Sequence, residues 1–234
     1  MVDIAAASEQ AATVHTAGQE EAGPIAEALA RAFFDDPVFS WVLRDDPRRM
    51  RTLRSGFELF LRRVWLDEEE TYTTATAVGA AVWEPPGAWK VAVGEQLRLL
   101  PAMVGVFRRH TPRVLRALAK LEGDHPAEPQ FPPHYYLPFL GVHPDWQGRG
   151  LGSALLAPVL ARCDRERVPA FLEASTPRNR ALYERHGFEV LGEFALGRRA
   201  PPQWRMWRDP VVSDPSSAAA AQSPGSGPDP GGEA

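Results

Sequence analysis

The sequence predicts an α/β fold, a mixed sheet with helices packed on both faces. Three observations carry that expectation. Between residues 24 and 208, apolar runs of strand length alternate with stretches of helical period. A glycine-rich turn at Gly148, Gly150 and Gly152 joins one such run to the helix that follows. The 234 residues are 44% hydrophobic and 24% charged, an ordinary globular composition. No apolar run approaches the roughly 18 to 20 residues needed to span a membrane.

Residues 1–22 are rich in Ala, Thr, Glu and Gln and read as a flexible N-terminal segment, or at most a first strand. The domain occupies 23–208. Pro24 to Phe34 has helical spacing, with Ile25, Leu29 and Ala32–Phe33 on one face. Asp35-Asp36-Pro37 stops it, and Val38 to Leu43 is a short apolar segment. A second helix runs from Pro47 to Trp65 and buries Met50, Leu53, Phe57, Phe60, Leu61 and Val64; Asp67 to Glu70 then forms a solvated turn. Thr71–Thr76 and Val78–Glu84 are two strands, rich in Thr, Tyr and Val. Residues 88–122 form a helical insertion, broken near Pro101 and again at Thr111-Pro112. A Pro-rich loop leads to the central strand, His134 to Val142. A helix follows from Gly150 to Glu166, which Pro158 should kink. Pro169–Ala174 is the next strand, Thr176–His186 a helix with Pro in its first turn, and Gly187 its C-terminal stop. Phe188–Leu196 and Trp204–Trp207 are the last strands. Of the 26 residues from Asp209 on, 19 are Pro, Gly, Ser or Ala, a composition that buries no core and reads as a disordered tail.

The net charge of −4 conceals a pattern. Four of the 30 acidic residues precede residue 24 and four follow residue 208, where no Lys or Arg occurs; the body carries 26 basic against 22 acidic groups. That mild excess suits a polyanionic small molecule and is too weak and scattered for nucleic acid. One cysteine, Cys163, excludes an internal disulfide. With no basic start leading into an apolar stretch, a cytoplasmic location is expected. The six histidines lack ligand spacing, so no metal is expected.

The central strand, its turn and the next helix make an anion-binding geometry. First-turn amides of a helix lack intrahelical partners, and the dipole adds partial positive charge there. Glycines at Gly148, Gly150 and Gly152 leave the backbone bare, and Arg149 adds a fork of donors. No Gly-Lys-Ser/Thr follows, which argues against a P-loop. The Gly-x-Gly-x-Gly spacing differs from Gly-x-Gly-x-x-Gly and argues against a dinucleotide fold.

The run Gln147-Gly148-Arg149-Gly150-Leu151-Gly152 resembles the acyl-CoA pyrophosphate loop of the GNAT superfamily of N-acetyltransferases. About 30 residues on, Asn179, Ala181, Tyr183 and Gly187-Phe188 resemble that superfamily's closing segment. Gly141–Ala154, Pro169–Asn179 and Ala81-Val82-Trp83 are similar to actinobacterial puromycin N-acetyltransferases. The resemblance implies a GNAT fold, a mostly antiparallel sheet splayed at its centre. It implies acetyl transfer from acetyl-CoA to an amine, with antibiotic resistance as one setting, by direct attack in a ternary complex. Cofactor contacts are expected from Leu140, Gly141, Val142, Gln147, Gly148, Arg149, Gly150, Leu151, Gly152, Ser153 and Asn179. A backbone N–H at Val142 or Leu140 polarises the thioester, and Tyr183 protonates the departing thiolate.

The central strand lacks the carboxylate that many relatives place there. Glu173 is therefore the expected base, directly or through water. Its alternative is to cap the helix after Thr176 or pair with Arg178. Tyr136, His134 and Glu84 are weaker candidates. Trp83, Tyr135 and Tyr136, with Trp41, Trp89 and Phe107, are the aromatics available to an acceptor pocket or to the core. A small-molecule amine such as an aminonucleoside leads. A protein or peptide amine is the enzymatic alternative, and a catalytically silent acyl-CoA-binding module is the other class. A monomer or homodimer is expected, without nucleic-acid or membrane partners.

Overall fold

In the computed structural model the described residues are 13–126 and 129–211. Expectations for residues 1–12 and for the tail from 212 onward lie outside them. Seven strands form one sheet: β1 (Val14–Thr16), β2 (Thr71–Thr74), β3 (Gly79–Glu84), β4 (Tyr135–Val142), β5 (Ala170–Ala174), β6 (Glu189–Ala195) and β7 (Pro202–Arg208). Their spatial order is β1-β2-β3-β4-β5-β7-β6. Every neighbouring pair is antiparallel except β4–β5. Of the two readings of residues 1–22, the described part takes the strand: Val14–Thr16 pairs with β2, and Glu21 accepts from the Gly18 N–H at 3.0 Å.

The helices are α1 (Ala22–Ala32), α2 (Pro37–Val42), α3 (Arg49–Phe60), α4 (Val93–Phe107), α5 (Thr111–Asp124), α6 (Leu151–Glu166) and α7 (Pro177–Arg185). α1 buries Ala22, Ile25, Ala26, Leu29 and Ala30, a stripe at helical spacing. The Asp36 carboxylate ends the gap that follows by accepting from the Val38 and Phe39 amides at 2.8 and 3.1 Å, which caps α2. After α3 a π-helical turn, Leu61–Trp65, sets Leu61 and Trp65 both in the core. The insertion is two long helices. Pro101 lies inside α4 without breaking it. It is exposed, so water can serve the Leu97 carbonyl that loses its amide partner. The break falls at Arg108, at φ 50°, just before Thr111-Pro112. α6 likewise runs through Pro158.

The sheet separates two cores. α1, α3 and the insertion cover one face through Ile25, Leu29, Leu53, Phe57, Ala80 and Val82. α6 and α7 cover the other through Leu155, Leu156, Val159, Ala81, Trp83, Leu172 and Tyr183.

One irregularity in β4 organises everything that follows. Val82 pairs with Phe139 but Glu84 with Tyr136, so β4 holds one residue more than β3 over that stretch. The bulge resets the side-chain alternation. Tyr135 and Leu137 face α6, as do Leu140 and Val142; Phe139 faces α1 and α3. Beside it, β4 and β5 pair only from Tyr135–Ala170 to Leu137–Leu172. Beyond Leu137 the strands part, and the β5 side of Pro138–Val142 has no strand partner.

Candidate active site

The gap offers backbone groups. The His143 N–H bonds the Val78 carbonyl at 2.8 Å, which turns residue 143 toward β3. By alternation Gly141 also turns toward β3, where it pairs with Ala80, while Leu140 and Val142 turn their amides to the gap. Gly141 therefore serves packing rather than a ligand. A Cβ there would sit 2.8 Å from Leu29 Cδ2 and 3.0 Å from Ala32 Cβ, so only glycine lets α1 lie this close.

At the end of the gap lies the glycine turn. Gln147 Nε2 donates to the Val142 carbonyl at 3.0 Å and ties the loop back to its strand. Gly148 and Gly150 have φ of 78° and 81°, left-handed positions that strain any other residue. No side chain caps α6, so the amides of Leu151, Gly152 and Ser153 point outward from its N-terminus. Leu151 contributes backbone only, since its side chain is buried in the α6 core. Gly152 allows close packing, with a Cβ there 3.3 Å from Leu182 of α7. The Ser153 hydroxyl contacts His186 Nε2 at 2.9 Å. Arg149 lies over the Trp146 ring at 4.8 Å and donates to the Asp145 carbonyl at 3.1 Å. An uncapped helix start, two left-handed glycines and a guanidinium fit a diphosphate.

The other wall of the gap is the β5–α7 corner. Thr176 caps α7 by accepting from the Asn179 amide at 3.1 Å. Asn179 Nδ2 reaches the Ser175 hydroxyl at 3.4 Å, and Ser175 donates to Asp36 at 2.5 Å. Tyr183 is buried one turn on, edge to face with Phe188 at 5.9 Å. Burial first, then the nearby Asp36 charge, pushes its phenol well above the usual range. It stays neutral, and a neutral phenol is a proton donor.

On the opposite face sits an acidic cluster. Glu173 alternates outward from Leu172 and accepts from the Tyr136 hydroxyl. Glu84, opposite Tyr136 in the register, accepts from Trp65 Nε1 at 3.2 Å. Its second oxygen is buried without a partner among the described residues. Burial raises Glu173 to about 7, against the lowering effects of Tyr136 and Arg205. Burial and the Glu173 charge raise Glu84 to about 8. Two carboxyls that titrate near neutrality can take a proton from an ammonium group. Neither alternative expected for Glu173 is built here, since Thr176 itself caps the helix and Arg205 stands opposite the carboxylate.

Several sequence-selected residues lie elsewhere. Trp83 is fully buried against α6, and the Tyr135 hydroxyl donates to Glu166 at 3.1 Å on the same face. Both are core residues: the regular alternation of β3 turns Trp83 away from its neighbour Glu84, and the β4 bulge sets Tyr135 on that same side. His134 bonds His125 at 3.0 Å and does not join the acids. Phe107 is core, Trp41 lies beside Arg113, and Trp89 stacks on His125 at 4.0 Å. Of the three pocket residues chosen from sequence, Tyr136 alone stays at the acids. The aromatics that do gather near Glu84 surround Phe139, with Phe33, Phe39, Phe57 and Trp65 at 5.2–6.1 Å between centroids. Their helical periodicity marks them as buried and nothing more. Glu84 had a signal, a charge closing the apolar run Gly79–Trp83. Among the described residues no group of three or more His, Cys, Asp or Glu could hold a metal ion, and no helix is long and apolar enough to cross a membrane.

Residues 118–190 match the profile of the acetyltransferase (GNAT) domain. An uncharacterized N-acetyltransferase of Schizosaccharomyces pombe is 27% identical over 206 residues, covering 83% of this chain and 82% of that protein. Among solved structures, a Corynebacterium glutamicum protein described as histone acetyltransferase HPA2 and related acetyltransferase is 27% identical. It covers 86% of this chain and 97% of its own, with a TM-score of 0.63. The polyamine N-acetyltransferase of Drosophila melanogaster shares the fold at 15% identity and a TM-score of 0.58, over 84% of this chain and 99% of that one.

Proposed function

We propose that this chain, whose residues 118–190 match the acetyltransferase (GNAT) domain, is an acetyl-CoA-dependent acetyltransferase that acts on the primary amine of a small molecule. The observation that carries the reading is the gap between β4 and β5. It has open Leu140 and Val142 amides on one side, the glycine turn at its end and the acids across the sheet.

The residues divide the work. The amides at Gly150–Ser153 and the Arg149 guanidinium hold a diphosphate. The Leu140 and Val142 backbone pairs with an extended pantetheine arm as an added strand would, and Asn179 holds its far side. One of those two amides stabilises charge on the carbonyl oxygen. The thioester supplies an acyl carbon open to attack. Glu173 takes a proton from the bound ammonium, directly or through water. The free amine then forms the C–N bond as the C–S bond breaks. Tyr183 gives its proton to the departing sulfur, and the proton that the new amide nitrogen sheds returns through water to the Tyr183 phenolate. Puromycin, an aliphatic primary amine that carries an aromatic side chain, falls within the substrate class.

A second reading, acetylation of a peptide amine, draws support from the description of the Corynebacterium protein. Thiol release measured over a panel of small amines and N-terminal peptides, with mass spectrometry of the products, decides between them. Small amines are expected to react at least tenfold better in kcat/KM. Reaction with peptides alone would reverse the order.

A further inference from the structure

We propose that a cavity of about 350 Å³ between the end of the insertion and the β5–β7 face seats the ring of the acceptor. It fits a primary amine carried on a short linker to a hydroxylated aromatic ring. This rests on the acetyltransferase reading above and names the acceptor class.

The cavity is lined by His125, Gln130, Phe131, Phe171, Leu191 and Arg205, among others. Phe171 and Glu173 are alternate residues on one face of β5, about 7 Å apart. Arg205 stands directly opposite Glu173 on β7. An amine delivered to Glu173 therefore places a group two or three carbons away beside Phe171. The walls are flat: Phe171 meets the His125 ring edge to face at 5.2 Å, and Phe131 packs on Trp207 at 5.2 Å.

Two polar groups choose among rings. His134 Nδ1 lies 2.8 Å from the Pro132 carbonyl, so that nitrogen carries the hydrogen. Its Nε2 then accepts from His125 Nε2 at 3.0 Å, with both rings held neutral by burial. His125 is left with an Nδ1 lone pair, an acceptor fixed by its neighbour's tautomer. Arg205 Nε is buried without a partner among the described residues, a donor in the same wall. A ring hydroxyl can give to the first and take from the second.

The test uses the full chain with three amines, tyramine, 2-phenylethylamine and propylamine. The wild type is expected to prefer them in that order in kcat/KM. Leu191 is half exposed at the cavity, so Leu191→Trp fills the space from its edge with little risk to folding, which a melting curve checks. The ratio of aryl to propyl kcat/KM should fall by about tenfold or more. His125→Phe should keep the ring stack and erase the preference for tyramine over 2-phenylethylamine. A folded Leu191→Trp with an aryl-to-propyl ratio within twofold of wild type overturns the proposal. So does a wild type that prefers propylamine. Transfer to peptides alone overturns both this inference and the small-amine reading. Transfer to small amines with no preference for rings overturns this inference and leaves that reading standing.

Discussion

The two faces of the sheet present different groups, and the proposed mechanism uses them by different means. On the α6–α7 face the groups that matter are backbone amides at Leu140, Val142 and Gly150–Ser153, joined by one buried phenol. None of those amides titrates, and their aim depends on φ, on a bulge and on glycine. On the opposite face stand the Glu84 and Glu173 carboxyls and the neutral Tyr136 phenol, side chains whose protonation burial sets. Under the proposed mechanism, a polyanion common to many enzymes would be held by geometry that many sequences can make, and an individual amine by side chains particular to this chain. Substitutions on the two faces should therefore fail in separable ways.

The largest expected effect is Tyr183→Phe. Loss of a general acid costs about 10²- to 10⁴-fold, read as a fall in kcat, while calorimetry finds acetyl-CoA affinity within about twofold of wild type. Unchanged turnover would remove Tyr183 from the mechanism. Next comes Glu173→Gln, expected to lower kcat/KM for the amine by about 10²-fold. The wild-type base must be ionised to work, so kcat/KM should rise with pH through about 7. In Glu173→Gln that rise should vanish or move. A rise that persists at the same pH assigns the titration to another group. On the first face Gly150→Val forces a β-branched residue to φ 81°. Strain of about 1 to 3 kcal/mol misdirects the amides, and acetyl-CoA binding should weaken by about tenfold or more with the pH profile unmoved. A shifted profile would mean that the faces are not separable.

The same contrast explains what could be read in the sequence. The strand–turn–helix from Leu137 to Glu166 is local, and its glycines declare the φ they need, so that half of the site is legible residue by residue. The acidic face is built from β3, β4 and β5, whose residues meet only through register. Trp83 and Tyr135 were candidates for a pocket because an aromatic on a strand has two faces to choose from. For Trp83 the regular alternation with Val82 and Glu84 decides which; for Tyr135 the extra β4 residue between Tyr136 and Phe139 decides, and no local pattern marks it. Pro101 misleads for a related reason: proline breaks a helix where the freed carbonyl is buried, and exposure is a tertiary fact. Gly141, one residue from two gap-facing amides, is there for Leu29 and Ala32.

A smaller effect tests the burial of Glu84. Its proton is held more tightly in the folded chain than in the unfolded one. The stability this lends is fully present below the usual carboxylate range and is lost as pH rises through about 8. Wild-type Tm should therefore drop between pH 6 and pH 9 more than that of Glu84→Gln, which has no proton to lose. Parallel Tm curves would show that Glu84 is ionised or solvated throughout. Glu84→Gln also removes a carboxyl from beside Tyr136, so its effect on amine kcat/KM should be smaller than that of Glu173→Gln.

The smallest effect sits where the faces touch. Ser175 donates to Asp36 at 2.5 Å and receives Asn179 Nδ2 at 3.4 Å. Asp36 belongs to the turn that starts α2 on the acid side, and Asn179 to the helix that carries Tyr183. The link joins segments far apart in sequence across the mouth of the gap. Ser175→Ala removes one hydrogen bond, about 0.5 to 1.5 kcal/mol. It leaves Asp36 its two α2 amides, so α2 keeps its cap. If this hydroxyl holds the faces in register, KM for acetyl-CoA and KM for the amine should rise together, each by about two- to fivefold. A rise in one alone would show that each wall of the gap keeps its position without the other, and that the bond contributes only to stability.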